Sequence, residues 1–399
     1  MKNISRIILV IIALYGSSAL FSQSNENLNA ASKLLTSNNN ITFGGYGQID
    51  YNQPISNTNI QNGNLDVHRL VLLFGYRFNN KFSFISEIEI EHVKEVFVEQ
   101  AFLVYNINTY VQLRGGLMLV PMGIINEYHE PTTFNGVERP LIDKYISPTT
   151  WREIGVGATG NIPEISMKYQ VYLMNGFSSY NGNAQLSGKN GLRDCRQKGA
   201  KSIINTPVIT GRVEYFGILG LNIGLSGYYG NTQSSEFKDL SKDDSYNITS
   251  ADSSIVKVSM VGLDARYQKK GFQFRVQTYY TKLSNTLEYN YFTSTNNTPN
   301  NVGSSMYGYY LEAGYNIFQS FSKIKSELIT FVRYSAYDTQ NEVAADIIKN
   351  NAYNMQIITA GLGWKPIPGI AIKADIQFLK SQLDNDYNKV FNAGIAIWF

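Results

Sequence analysis

Between Ile41 and Phe399 one pattern repeats: about ten residues in which apolar side chains alternate with polar or small ones, then a turn or loop, then the next segment. Sixteen such segments can be drawn, at 41–51, 66–78, 82–92, 96–105, 110–119, 151–160, 164–174, 207–216, 219–230, 255–268, 272–283, 305–317, 325–337, 353–364, 370–380 and 389–399. A period of two puts alternate side chains on opposite faces of a strand. In 82–92, Phe82, Phe84, Ile88 and Ile90 share one face and Glu87, Glu89 and Glu91 the other. In 272–283, Phe272, Phe274, Val276 and Tyr280 oppose Gln273, Arg275, Gln277 and Thr281. In 370–380, Ile370, Ile372, Ala374, Ile376 and Phe378 oppose Lys373, Asp375 and Gln377.

The connections alternate as well. Short ones at 79–81, 106–109, 161–163, 217–218, 269–271 and 366–369 take turns with usually longer ones at 52–65, 120–150, 175–206, 231–254, 284–304 and 338–352. The links 93–95 and 381–388 are short but fall on the long-loop side. Turns at one end, loops at the other and an even count predict an all-β, up-and-down antiparallel transmembrane β-barrel of about 16 strands, with short periplasmic turns, long extracellular loops and both termini in the periplasm. A soluble sandwich gives each strand the same alternation. Sixteen strands in a row instead close a barrel too wide for side chains to fill, so the polar face meets a water-filled lumen and the apolar face meets lipid. No repeated motif or blade period points to a solenoid or propeller.

Composition narrows the alternatives. Hydrophobic residues make up 43% of the 399 residues, aromatic 13% and charged only 16%. A chain so rich in aromatic residues is not disordered, and past the N-terminus no run approaches the ~18 apolar residues of a spanning helix. The net charge of +3 is spread along the chain, which argues against a nucleic-acid partner. One cysteine, Cys195, excludes an internal disulfide.

The first residues read as an export signal: Lys2 and Arg6, an apolar run from Ile7 to Tyr15, then small residues at Gly16-Ser17-Ser18-Ala19, with cleavage after Ala19 or Ser22. We therefore expect a signal peptide over 1–22, a mobile lead-in over 23–40 and a barrel over 41–399. The last strand carries Gly394, and Ala393, Ile395, Ile397 and Phe399 share one face. A terminal Phe behind spaced apolar residues and a glycine looks like the signal read by the outer-membrane barrel-assembly machinery. Together these features place the chain in the outer membrane of a Gram-negative bacterium, in contact with its lipid and lipopolysaccharide.

Several stretches carry a family resemblance: VHRLVLLFGYRFNNKFSFISEIEI (67–90), VEQAFLVY (98–105), LRGGLMLVPMG (113–123), FNGVERPLIDKY (134–145) and TTWREIGVGATG (149–160). They resemble the phosphate-selective porin O and P family. The resemblance implies a sixteen-stranded homotrimeric porin for small hydrophilic solutes, with the third long loop, here about 120–150, folded inward as a constriction. It does not by itself imply anion selection, because strand 2 has only Arg69 and the distant Arg77 where phosphate-specialised members are Arg-rich.

Strand parity places Arg69, Arg77, Arg114, Lys168, Arg212, Arg266, Arg275, Arg333 and Lys373 in the lumen. It places Asp50, Glu87, Glu89, Glu91, Glu99, Glu153, Glu214, Asp264, Glu312, Glu327 and Asp375 there too. A lining this balanced predicts weak or no charge selection. Pairing Phe78 with Phe82 sets Arg69 opposite Glu91, Val71 opposite Glu89 and His68 opposite His92, the two histidines on the lipid side. With no third ligand, they read as an interfacial pair and not a metal site. A Lys270-Gly271 turn sets Arg266 opposite Arg275, answered either by Asp264 or by a bound anion. In the constriction loop, Glu127, His129, Glu130, Glu138 and Arg139 are expected to set width and potential.

No nucleophile elbow, metal-ligand array or phosphate loop is present, so neither an enzyme nor a cofactor is expected. Cys195, on an expected exposed loop between Arg193 and Arg196, reads as incidental. The reading is a general diffusion porin. The alternatives are a phosphate or other anion channel, and a non-channel structural or adhesive barrel.

Overall fold

The computed structural model describes residues 39–56, 58–321 and 323–399. The export signal and most of the lead-in lie outside the described residues. Sixteen antiparallel strands close on themselves: β1 Ile41–Ile55, β2 Asn64–Arg77, β3 Phe82–Glu91, β4 Glu95–Asn106, β5 Gln112–Leu119, β6 Arg152–Ile162, β7 Met167–Met174, β8 Val208–Ile218, β9 Leu221–Asn231, β10 Lys257–Lys269, β11 Phe272–Ser284, β12 Gly303–Asn316, β13 Glu327–Val343, β14 Asn354–Lys365, β15 Ile370–Ser381 and β16 Asn388–Trp398. Each strand pairs with its sequence neighbours, and β1 pairs with β16 to close the ring. A separate two-stranded parallel pair joins Ser178–Tyr180 to Gln233–Ser234 among the long loops. No helix among the described residues is long and apolar enough to cross a membrane.

Alternation in sequence becomes inside and outside in the barrel. On β11, Phe274, Val276 and Tyr280 point outward at 40–45% exposure, while Gln277 and Thr281 are fully buried inside. Exposed outward aromatics gather toward both rims: Tyr76, Phe78, Phe82, Tyr110 and Phe272 at the short-turn end, Tyr229, Tyr280, Tyr387 and Phe391 at the other. An apolar band between aromatic girdles is how such a barrel meets a bilayer.

The tight turns fix the registers. Lys270 (φ 51°) and Gly271 (φ 82°) make a two-residue turn of left-handed residues, the twist that antiparallel hairpins favour. It sets Arg266 directly opposite Arg275. The β2/β3 hairpin sets Arg69 opposite Glu91 and Val71 opposite Glu89. At the seam, Phe399 and Gly45 exchange both backbone hydrogen bonds at 2.9 Å, so the terminal residue is itself part of the closure. Its ring and Ile397 face outward, at 59% and 41% exposure, and Gly394 sits one pleat away beside the interior Asp50 carboxylate.

Candidate functional site

The long connection after β5 does not project from the rim; it turns into the barrel. Val120 N–H donates to Trp151 O (2.9 Å), and Asn126 staples the loop's neck by donating to Val120 O and Trp151 O while accepting from Trp151 N–H (2.7, 3.1 and 2.9 Å). At Gly123 the backbone takes φ +68°, and a Cβ there would run into the Tyr279 hydroxyl, so the inward corner needs glycine. A short helix, Gly123–Glu127, follows, and nearly every residue from Val120 to Thr150 is buried or half-buried. The expected constriction loop therefore lies across the interior.

What holds it there is the charged wall opposite. The Lys373 ammonium donates to three loop carbonyls, Pro131 O (2.5 Å), Phe134 O (2.8 Å) and Gly136 O (2.9 Å), and sits 4.2 Å from the Phe134 ring centre. Arg333 donates to Asn135 O (2.5 Å) and Glu138 O (3.3 Å) and pairs with Glu312 (2.7 Å). Arg275 donates to Thr133 O (2.7 Å) and lies 3.8 Å from Glu312. Asp375 accepts from Val137 N–H (2.6 Å) and from Asn392 (2.8 Å). A loop that crosses a barrel leaves backbone carbonyls without a ladder, and buried carbonyls need donors. Here lumen cations supply them.

The remaining predicted lining residues are also spent on partners. Arg69 pairs with Glu89 (3.0 Å) and Glu91 (3.6 Å). Arg212 grips Asp264 with two nitrogens (2.5 and 2.8 Å) and lies 3.4 Å from both Glu127 and Glu214. Arg114 sits 3.4 Å from the Tyr172 hydroxyl, over the Phe102 ring. Arg77 is half-buried at the short-turn rim. Glu87 and Glu89 face inward at 0% and 1% exposure. In the loop, Arg139 donates to His129 O (2.7 Å), Glu138 accepts from Asn52 (3.0 Å), and Glu130 is fully buried. Asp143, buried in the second loop helix (Ile142–Tyr145), accepts from Gln277 (2.6 Å) and Tyr279 (3.1 Å) on β11. Burial pushes its carboxyl up to about 7 despite these donors.

Three expectations need correction. Asp264 does not answer the Arg266/Arg275 rung, because Arg212 claims it. The rung is answered by Glu214, 3.5 Å from Arg266, and by Glu312, with Arg266 lying 4.0 Å from the Tyr128 ring centre. His68 and His92 do face each other, ring centres 5.8 Å apart, but not as a pair on the outer face. A register shift between Gln48 and Asp50 turns His68 to the interior Asp50 (3.4 Å), while His92 pairs with Asp66 (2.6 Å). Cys195 is fully buried, and burial, then Asp194, pushes its thiol well up. It belongs to the loop after β7, which folds over the first: Phe177 stacks on Trp151 (4.1 Å, 13°), and Leu192 N–H donates to Tyr145 O (2.9 Å).

Sequence reasoning missed Arg196, which donates to Thr149 O (2.5 Å) and Thr150 Oγ1 (3.0 Å), and with Arg152, Arg193 and Lys198 makes a basic cluster at the loop end. It also missed Tyr46, whose hydroxyl donates to Glu87 (2.8 Å). No charge pattern marks either. A count of charges also hid their exposure. Nine of the eleven carboxylates assigned to the lumen are at most 5% exposed, whereas Arg266 and Arg275 keep 15% and 16% of their side-chain surface, and Arg77, Arg114 and Lys168 are half-buried.

No family model matches the chain. An uncharacterized protein of Aquifex aeolicus (strain VF5) is 33% identical over 385 residues, covering 93% of this chain and 82% of the relative. Among solved structures, the outer membrane channel DcaP of Acinetobacter baumannii superposes with a TM-score of 0.58 at 12% identity, over 90% of this chain and 97% of that one. Salmonella typhi OmpF in complex with daunomycin gives 0.58 at 11%, again over 90% and 97%. The anion-selective porin from Comamonas acidovorans gives 0.55 at 13%, over 90% and 99%. At these identities the shared property is the fold, that of the sixteen-stranded outer-membrane porin barrel.

Proposed function

We propose that this chain, which belongs to one family with the uncharacterized Aquifex aeolicus protein, is a narrow outer-membrane porin through which small hydrophilic solutes diffuse passively, with no reaction catalysed. The observation that carries the reading is a loop of the chain's own lying across a charged interior, inside a wall whose outer face is apolar. The export signal and the outward Ile397 and Phe399 of the closing strand fit delivery by the assembly machinery. In the same reading the protein is a homotrimer among outer-membrane lipid and lipopolysaccharide, and the motifs at 67–160 ally it with the phosphate-selective porin O and P family.

Planar-bilayer recording of refolded protein tests this. Small discrete steps are expected, growing when residues 128–138 are replaced by a short Gly-Ser link. Silence from both forms overturns the channel reading and leaves a structural or adhesive barrel.

A second reading, a preference for anions, is favoured by exposure. Four lumen cations keep contact with water, Arg266, Arg275, Arg114 and Lys168, against two lumen carboxylates, Glu91 and Glu327, and Glu214 and Glu312 beside the arginine rung are buried. Reversal potentials under a KCl gradient, with and without added phosphate, check it. A reversal at zero with no phosphate block returns the protein to unselective diffusion.

A further inference from the structure

The interior holds one polar cluster that neither the strand ladder nor the loop pinning requires. On β4 the pairing to β3 slips: Gln100 lies opposite Glu87, but Val98 lies opposite Ile88. Glu99 is the extra residue of this bulge, and both Glu99 and Gln100 are buried. Bulges re-aim side chains in this way. The bulge brings the Glu99 carboxylate to that of Glu87, and His129 of the crossing loop comes down between them.

His129 Nε2 lies 3.4 Å from Glu87 Oε1 and 3.6 Å from Glu99 Oε2, and all three donor atoms lie within 4.8 Å of one another. The Tyr46 hydroxyl closes the group, 2.8 Å from Glu87 Oε1 and 3.5 Å from Glu99 Oε2. The other ring nitrogen, Nδ1, donates to Asn126 O (3.1 Å). A carbonyl only accepts, so this bond fixes the ring and aims Nε2 at the carboxylates, the way a ligating histidine is held by its surroundings. Among the described residues Nε2 has no hydrogen-bond partner, nor has Glu99 Oε1, although both side chains are at least 98% buried.

Geometry and charge both suit a bound cation. A tetrahedral ion with bonds of about 2.0–2.2 Å has donor atoms about 3.3–3.6 Å apart, and the two His129 to Glu distances fall there. The ion pairs recorded for Glu87 and Glu99 among the described residues are both with this one imidazole. Arg69 and Arg152 act on Glu99 from farther off, but the imidazole is the cationic group within ion-pair distance of the two buried carboxylates, which leaves room for a divalent ion between them. We propose that Glu87, Glu99 and His129 bind one divalent transition-metal ion of the zinc type, with the Tyr46 hydroxyl beside it. The nitrogen and oxygen donor set suits that class. The ion would tie the crossing loop to β3 and β4. This site does not rest on the protein conducting anything.

The test uses the full mature chain refolded in detergent with Co²⁺ or Zn²⁺ present, since the site is buried and fills as the loop docks, followed by desalting without chelator. Wild type should retain about one equivalent of metal and, with Co²⁺, show the intense visible band of a four-coordinate site. His129→Gln and Glu99→Gln should each lower retention at least tenfold. His92→Gln, at the exposed ion pair with Asp66, should leave both readouts unchanged. Heat-modifiable gel mobility separates loss of the site from failure to fold, and Tyr46→Phe serves as a milder probe, expected to shift the Co²⁺ band without emptying the site. A folded wild type that retains no metal overturns the proposal and makes the cluster a proton-bridged one. Equal retention in wild type and in folded His129→Gln overturns it too.

Discussion

Replacing Lys373 by Met tests whether lumen cations hold the crossing loop. Met keeps the unbranched stem and its packing against Phe134 but removes the ammonium from the carbonyls of Pro131, Phe134 and Gly136. A hydrogen bond to a charged group contributes about 1.5–3 kcal/mol, and a buried carbonyl left without a donor costs about 1–3 kcal/mol. Three such bonds do not add in full, because the loop can relax and admit water. A loss of about 3 kcal/mol in loop docking is therefore the conservative figure. At 1.4 kcal/mol per factor of ten, the loop opens about 10²-fold more often. Hydrogen exchange reads this at two loop amides, Val137 N–H, which donates to the wall at Asp375 (2.6 Å), and Thr133 N–H, which donates within the loop to Glu130 O (3.0 Å). Both should exchange about 10²-fold faster while the ladder amides of β15 and β16 keep their rates. Single-channel current, if carried, should become noisier. Exchange at Thr133 and Val137 within about twofold of wild type would refute the reasoning, showing that Arg333, Arg275 and Asp375 suffice without Lys373.

Asp143 holds its proton more tightly in the docked loop than in the free chain, where its pKa is about 4. The protonated form therefore stabilises docking most at low pH, and that contribution is lost as pH rises from about 4 to about 7. Loop protection, taken relative to the intrinsic amide exchange rate at each pH, should fall across this window in wild type and stay level in Asp143→Asn. Arg266→Gln with Arg275→Gln removes two interior cations that keep contact with water, so the reversal potential under a KCl gradient should move toward cation preference; no movement would take the rung out of the conduction path. Phe399→Ala should lower the amount of barrel reaching the outer membrane several-fold, yet leave refolding in detergent unchanged, since its backbone bonds to Gly45 remain; equal loss in both would make the residue structural and not a signal.

The strands were legible because two local rules agree along most of the chain. Alternation names the faces, and tight turns such as Lys270-Gly271 leave one register open. That is why Arg266 could be set against Arg275, and Arg69 against Glu91, from sequence alone. What failed was any inference that ran across more than one hairpin. Asp264 and Arg266 are two apart on one strand, but Asp264 reaches Arg212 across β9, a pairing that depends on Gly224 having no side chain, since a Cβ there would run into the Arg212 guanidinium. The β1/β2 slip that turns His68 inward breaks the period of two at one residue; the β4 bulge does so as well, although Glu99 is among the residues expected in the lumen. Such a break carries no composition of its own.

Parity names the face of a side chain and is silent about what fills the space in front of it. A sixteen-stranded lumen is too wide for wall side chains to close, so an inward charge reads from sequence as a charge in water. The crossing loop changes that for most of them. It brings unpaired carbonyls, and those recruit Lys373, Arg333 and Arg275; it brings Glu127 and His129, and those engage Arg212 and the Glu87/Glu99 pair. Selectivity then rests on the few charges the loop leaves uncovered, whose identity depends on the path of some thirty residues with no period to betray it. A balanced count of eleven acids and nine bases is therefore compatible with a basic passage, and the Arg266/Arg275 pair of substitutions decides between the count and the exposure.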